Sequence, residues 1–451
     1  MPLQSCVGPG MAAPLDLSGL QGTAATSPLV TVEAAVVTGF EPCVAEEVLE
    51  VLGVQGNVTR GRVVFDLPPE RLREVLGLRC PTTIYLLLGH DGDYAWEGSV
   101  EEQMAAVERF VASRLCWDKG LRAWAQATRF QGDLYPLARA QAKEEEEEEG
   151  DASDVEKAEK LENCDNSESP AAKQARLDDV LTFRATCYRS GEKSAHAFPS
   201  TLVASTVGGA VGDSFGWRPK MKGYHLELVV NCNAKELYCA LTLNNSSLGN
   251  RTITEFGLCT LRPNTAACLA RLAGLQAGEV VVDPMAGTGS IPLEGALGFP
   301  TTFHLAGERA AKSVRSCRVN MDGVVAKNCL QVAPKVDALQ WDCIRGNCLR
   351  DGSVDVVITD LPFGRRSGSK ADNKKLYPDM LVAMARVVRP GVGRAVLLTQ
   401  DKTSMFASLA RVSAYWARTR VVTTNIGGLT ALVFVLARTG EPWTHPKALK
   451  S

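Results

Sequence analysis

Three absences narrow what this chain can be. No apolar stretch is long enough to cross a bilayer, and the first residues carry no basic segment followed by an uninterrupted apolar core. A soluble protein with no membrane partner is therefore expected, cytoplasmic by default, with nuclear access left open. The 14 cysteines include no CxxC pair, and no CxxxxC pair that faces a second pair or a histidine couple. Structural zinc is disfavoured on that ground, the loose group Cys329, Cys343 and Cys348 reads as reduced thiols, and no metal is expected. GxGxxG and GxxxxGK[ST] are both missing, which disfavours dinucleotides and ATP as ligands.

Charge is present in two unlike parts. The formal net charge is −2, yet residues 141–180 hold 15 acidic and 5 basic side chains, which leaves 44 basic and 36 acidic residues, a net of +8, elsewhere. A body that meets phosphate has that balance, and so does an ordinary solvated surface. At 451 residues the chain exceeds what one core organises, so two or three domains are expected.

Hydrophobic periodicity divides the chain. Residues 1–28, rich in Pro, Gly and small residues, are expected to form a loose tail. Residues 29–140 open with LVTVEAAVVTGFEPCVAEEVLEVLGV, read as strand, turn and amphipathic helix, and continue with the strands GRVVFDLP and TTIYLLLG. Residues 141–180 hold too little apolar surface to offset chain entropy and are expected to be a disordered acidic insertion. Residues 181–250 read as a small α+β module ending in two strands, YHLELVVNCN and ELYCALTLN. From 255 to 440, the short apolar runs EVVVDP, FHLAGE, VDALQWD, VDVVITD and GRAVLLTQ alternate with helical segments. Two further strands flank Gly427-Gly428, and residues 441–451 form a tail. Alternation of this kind predicts a mostly parallel sheet covered on both faces, with a terminal antiparallel hairpin. That α/β, Rossmann-like plan is the plan of class I methyltransferases, here preceded by an α+β region.

Chemistry concentrates at two strand ends. Asp283, Pro284, Met285, Ala286, Gly287, Thr288 and Gly289 follow the strand EVVV and precede a helix, where glycines let backbone approach a ligand closely. Glu308, about twenty residues on, stands where a carboxylate accepts from a ribose diol, and Asp342 is placed to accept from an adenine amine. Asp360, Leu361, Pro362 and Phe363 end the strand expected beside the first. An exocyclic base amine is a weak nucleophile because its lone pair is delocalised into the ring. Asp360 and the Leu361 carbonyl would localise that pair by accepting the two hydrogens; Pro362 stiffens the turn and Phe363 stacks on the base. Arg365, Arg366 and Lys370 follow at the mouth of this site and, with Arg262, are candidates to hold RNA phosphates or bases.

With these residues in view the sequence resembles the THUMP-domain methyltransferases, a family of tRNA guanine-N2-methyltransferases. The likeness runs from Thr31 to Arg438 and is carried by TGFE at Thr38–Glu41, RSGEK at Arg189–Lys193, ITEFGLCTLRP at Ile253–Pro263, DPMAGTGSIPLEGA, DALQWD, TDLPFGRRSGSK, GRAVLLTQD and NIGGL. Ala286 stands where cysteine is often found, Glu308 replaces aspartate, and Leu361 replaces the first proline of DPPY or NPPY. The resemblance implies S-adenosylmethionine as methyl donor and an N-terminal half, ferredoxin-like part plus THUMP module, that grips the tRNA acceptor stem and 3′ end. It further implies guanine N2 at position 6 as the target and a small zinc-binding activator subunit as partner. Guanine N2 lies on the minor-groove side, so the base must be flipped out to be reached. The strand VDALQWD, outermost in a doubly wound order, is the edge where the activator would add a strand. Alternative readings are a catalytically silent tRNA-binding protein, or amino-methylation of adenine N6 or protein glutamine.

Overall fold

The computed structural model describes residues 14–136, 180–190, 197–244, 248, 251, 253–257, 260–327, 333–345, 348–364 and 369–444. The expected acidic insertion, 141–180, falls outside these residues except for Val180. So do Arg365 and Arg366.

Two sheets organise the described residues. The first collects β1 (Val30–Ala35), β2 (Asn57–Thr59), β3 (Arg62–Leu67), β4 (Thr83–Asp91), β5 (Thr182–Arg189), β6 (Arg218–Pro219), β7 (Leu226–Asn233) and β8 (Glu236–Thr242) in the order β2-β3-β1-β4-β8-β7-β5-β6. Helices α1 (Glu41–Leu52), α2 (Val100–Ser113), α3 (Trp117–Thr128) and α4 (Ser200–Phe215) accompany it. The segments read as separate, 29–140 and 181–250, are one sheet: β4 and β8 pair antiparallel, with Tyr85 opposite Thr242 and Leu86 opposite Leu241. Sequence gave no sign of this pairing, because an apolar strand carries no label for a distant partner.

The expected tail over residues 1–28 is corrected from Leu15 onward. Leu15, Leu17 and Leu20 pack against Val64, Leu87, Tyr238 and Ala240. The Leu15 amide donates to Glu236 Oε1 at 2.9 Å, and the Gln21 and Gly22 amides donate to Asp66 Oδ2 at 2.6 and 3.1 Å. This strap is irregular and so shows no periodicity, but it satisfies its backbone groups with side chains of the sheet it covers. The C-terminal tail is corrected likewise as far as residue 444, since Trp443 packs on the core and Thr444 Oγ1 lies 3.1 Å from the Tyr415 hydroxyl.

The second sheet contains β9 (Val280–Asp283), β10 (Phe303–Glu308), β11 (Val336–Gln340), β12 (Val356–Asp360), β13 (Arg394–Thr399), β14 (Trp416–Ile426) and β15 (Leu429–Arg438), ordered β11-β10-β9-β12-β13-β15-β14. Its first five strands run parallel, and β15 pairs antiparallel with β13 and β14. Gly427 and Gly428, both at positive φ (60° and 79°), close the two-residue hairpin turn. Helices α5 (Pro263–Leu272), α6 (Ser290–Gly298), α7 (Ala311–Lys327), α8 (Lys370–Val387) and α9 (Lys402–Arg411) complete this half. Central strands are apolar throughout because both faces are covered. Val356, Ile358, Val396 and Leu398 enter one cluster, and Val357, Ala395 and Leu397 enter the other. Among the described residues no helix is long and apolar enough to cross a membrane.

The halves are joined by a shared core and by charge. Val44 and Val48 of α1 belong to the same cluster as Leu269 of α5 and Val281 of β9. Glu294 on α6, buried, takes Arg79 from the first half and Arg251 from the connection, each at 2.7 Å.

Candidate active site

The strand order places the order-reversal point between β9 and β12. From β9 the chain goes outward through β10 to β11, then crosses back to β12 on the other side. The register sets Val281 opposite Val356 and Val282 opposite Val357, so Asp283 and Asp360 end parallel neighbours at one carboxyl edge. In open α/β sheets this crevice is where ligands bind.

The turn after β9 is built by backbone. Met285 N donates to Asp283 Oδ1 at 3.0 Å, Ala286 N to the Gly307 carbonyl at 3.0 Å, and Gly289 N to the Ala286 carbonyl at 2.8 Å. Gly287 has φ +53° with no atom within 4 Å of where a Cβ would be, so the ligand side of the turn stays open. Gly289, at φ +91°, would place a Cβ 2.5 Å from Cys317 Sγ of α7, so glycine is required there by packing as well as by dihedral. Pro284 and Ala286 are buried and Met285 is half-buried. Thr288, also buried, sits 3.1 Å through its hydroxyl from Thr260 Oγ1.

Glu308 ends β10 and faces this turn. Its Oε2 accepts from Gly287 N at 3.1 Å and its Oε1 from Ala310 N at 2.8 Å, which fixes the carboxylate and leaves each oxygen a lone pair for a hydroxyl. Asp342 lies two residues beyond β11, where its Oδ1 accepts from the Ile344 and Arg345 amides at 3.0 and 3.1 Å. Between them, the Trp341 ring lies against Gly307.

Three carboxyl groups thus gather without a counter-charge: among the described residues none of Asp283, Glu308 and Asp360 is in an ion pair. Burial, and next the charge of Asp360, push Asp283 well above the usual carboxylate range, and its Oδ2 is buried with no hydrogen-bond partner. Asp360 is pushed up to about 7, first by burial and then by the charge of Glu308. A cradle that raises its own acids in this way favours a ligand bringing positive charge and N–H or O–H donors. Among the described residues no group of three or more His, Cys, Asp or Glu could hold a metal ion.

The turn after β12 is held from beneath. Leu361, buried, donates its amide to the Leu398 carbonyl at 2.9 Å, and the Pro362 carbonyl accepts from the Tyr377 hydroxyl at 2.6 Å. Tyr377, fully buried on α8, also lies 2.8 Å from Thr399 Oγ1. Phe363 is half-buried against the core rather than free in solvent. Arg262, exposed, immediately precedes α5 two residues after Thr260, and Lys370, also exposed, begins α8. Sequence reasoning missed Tyr377, Thr260 and Asn320, a buried side chain of α7 that bonds the Thr288 carbonyl at 2.9 Å. Nothing local marks them, since each acts on a segment far along the chain.

A doubly wound sheet whose crevice opens between a glycine turn and an acidic strand tip defines a class I methyltransferase domain. The model of the family described as RMKL-like, methyltransferase domain, matches residues 251–431. The bovine (Bos taurus) tRNA (guanine(6)-N(2))-methyltransferase THUMP3 is 35% identical, over 92% of this chain and 90% of its own length. A tRNA (guanine(6)-N2)-methyltransferase of Thermus thermophilus is 29% identical over 58% of this chain and 74% of its own. The crystal structure of TrmN from Thermus thermophilus superposes with a TM-score of 0.63 at 22% identity, covering 91% of this chain and 99% of that one, which shows a common fold. The chain belongs to the THUMP3 family of tRNA (guanine(6)-N(2))-methyltransferases.

Proposed function

We propose that this chain transfers a methyl group from S-adenosylmethionine to the exocyclic N2 of a guanine in tRNA, at position 6 of the acceptor stem. The observation that carries the reading is the meeting of the Asp283 turn and the Asp360 tip on adjacent parallel strands. Bound at this edge, S-adenosylmethionine supplies an electrophilic methyl group on a positively charged sulfur. The acidic cradle and the buried, unpartnered Asp283 Oδ2 suit that charge and the donors of the cofactor.

In this reading the open side of Gly287 admits the cofactor, Glu308 accepts from its ribose hydroxyls, and Asp342 accepts from its adenine amine. Asp360 and the Leu361 carbonyl accept the two hydrogens of guanine N2, which turns the nitrogen lone pair toward the methyl group. Methylation leaves one excess proton on nitrogen. Asp360 takes it, and its raised affinity for a proton suits that step. Phe363, backed by the core, offers a ring to the flipped base, and the Tyr377 hydroxyl holds the turn in register. Arg262 and Lys370, both exposed, are the candidates to meet the RNA backbone, and the role proposed for Arg365 and Arg366 rests on sequence alone.

The first half, with its strap and the 181–250 module joined in one sheet, is the tRNA-gripping part of this proposal. A small zinc-binding activator is proposed to add a strand along β11, which among the described residues pairs with β10 alone at the sheet edge. The backbone of Ala338 is engaged within the chain, its amide donating to Asp337 Oδ1 at 2.7 Å and its carbonyl accepting from Arg318 Nη2 at 2.9 Å, so a strand added there would replace both bonds. Ala338→Pro should abolish co-purification, and normal co-purification of that variant removes β11 as the docking edge. A cytoplasmic location belongs to the same proposal and is checked by cell fractionation.

Label transfer from tritiated cofactor to purified tRNA, with and without the activator, tests the reaction. Asp360→Ala should keep tRNA affinity and lose methylation. Binding without transfer by the native protein points to a silent tRNA-binding protein, and label recovered in adenine or in protein glutamine points to those amines instead.

A further inference from the structure

The segment entering the second half carries an aromatic ring for which no ring partner is found among the described residues. Phe256 is 60% exposed, whereas Trp341, whose ring lies against Gly307 beside the glycine turn, is buried. Exposure alone says little, because single apolar residues on a surface are common. Here, however, the backbone on the N-terminal side of the ring is anchored with unusual completeness.

Asn320 of α7, fully buried, does the anchoring. Its Oδ1 accepts from Thr254 N at 2.9 Å, from the Thr254 hydroxyl at 3.1 Å and from Glu255 N at 2.8 Å. Its Nδ2 donates to the Glu255 carbonyl at 3.0 Å and to the Thr288 carbonyl at 2.9 Å. One side chain therefore ties the approach segment to the cofactor turn. On the other side of the ring, Gly257 N donates to Thr260 Oγ1 at 2.7 Å, and a Cβ at Gly257 would stand 3.2 Å from Thr288 Cγ2. Ile253, buried with Leu293 and Val324, pins the start of the segment. The result is an exposed ring on rigid backbone, one residue from contact with the turn and six before the exposed cation Arg262.

We propose that Phe256 is a stacking platform for a nucleobase of the RNA substrate next to the target base, with Arg262 reaching the adjoining phosphate. The proposal rests on the reading of the site given above and adds a substrate-positioning residue to it. A ring held at a fixed position costs little entropy on stacking, and every base offers a π-face, so it positions the strand without choosing sequence. The occupant is RNA rather than the cofactor's own adenine because the ring faces solvent and Arg262, also exposed, follows six residues on along the chain, whereas the acidic cradle lies on the sheet edge.

Phe256→Ala, in the full chain with its activator, is tested for binding of fluorescently labelled tRNA and for steady-state kinetics. The expected result is a roughly tenfold weaker tRNA Kd and a similarly raised KM, with kcat changed less than about twofold. Affinity for S-adenosylhomocysteine, by calorimetry, and Tm should match the native protein, since the ring is exposed. Phe256→Trp should restore tRNA affinity and Phe256→Leu should not, which separates stacking from apolar contact. Unchanged tRNA affinity in Phe256→Ala overturns the proposal, as does a parallel loss of cofactor affinity, which would make the ring a cofactor wall. Should the native protein bind tRNA but methylate none, the reading of the site fails, while the Kd comparison still decides the role of Phe256.

Discussion

The raised proton affinity of Asp360 makes methylation depend on pH near neutrality, with a sign and a size that follow from the site. Its carboxyl is held up to about 7 by burial and by the charge of Glu308, against 3.8 for a free aspartate. Ionised, Asp360 accepts from the target amine and takes its proton; protonated, it does neither. Between pH 8 and pH 6 the ionised fraction of such a group falls from roughly 90% to roughly 10%, about a tenfold loss worth ~1.4 kcal/mol. The profile of kcat/KM for the cofactor, at saturating tRNA, reports the cofactor-free form and should fall tenfold per pH unit well below 7. The kcat profile, which reports the loaded form, should have its midpoint at lower pH, because a sulfonium beside the carboxylate favours ionisation. Cofactor affinity should accordingly rise with pH through about 7 for S-adenosylmethionine and much less for S-adenosylhomocysteine, whose sulfur is neutral. The same shift acts on folding. A folded pKa above the unfolded one gives a stabilising contribution that is complete below about pH 4 and is lost as pH rises through about 7. A kcat/KM profile that is flat from pH 5.5 to 8, or that climbs toward acid, would refute the role given to Asp360.

Two other perturbations probe the scaffold. Glu294→Ala leaves Arg79 and Arg251 without their shared carboxylate at the junction of the halves and should cost about 3–5 kcal/mol, read as a lowered Tm; an unchanged Tm would show that the junction does not depend on this cluster. Gly289→Ala forces a side chain into φ +91° and against Cys317 Sγ, so about 1–3 kcal/mol of strain should appear as distortion of the cofactor turn. Calorimetry should show at least tenfold weaker cofactor binding, and native affinity would mean that the turn does not form the cradle.

Particular residues show how far the sequence could be read. The run VDVVITD reads as a strand buried on both faces, and β12 is that strand, because Val356 and Val357 enter opposite cores. The Gly427-Gly428 pair announced its hairpin because the tight turn needs positive φ at both positions. The glycine turn and Asp360 were legible as strand-end motifs, and the register of β9 with β12 makes them neighbours. Leu15, Leu17 and Leu20 were read as part of a tail because a strap has no period to detect. Phe363 is legible as an aromatic at the strand end, placed to stack on a base, whereas its half-buried seat against the core depends on the fold.

What the sequence by itself determined is whatever depends on neighbours within a turn or two of chain: the strand and helix series of the second half, the terminal hairpin, and the two acidic strand ends. Only the tertiary structure decided that β4 and β8 join the N-terminal segments in one sheet, that Asn320 ties Thr254 and Glu255 to Thr288, and that Tyr377 supports Pro362. It also decided that three carboxyl groups crowd one edge and lift Asp360 to about 7. The division has a physical cause. Backbone propensity and side-chain period act locally, whereas hydrogen-bond partnership, burial and the field at a carboxyl group depend on atoms brought together across long stretches of chain.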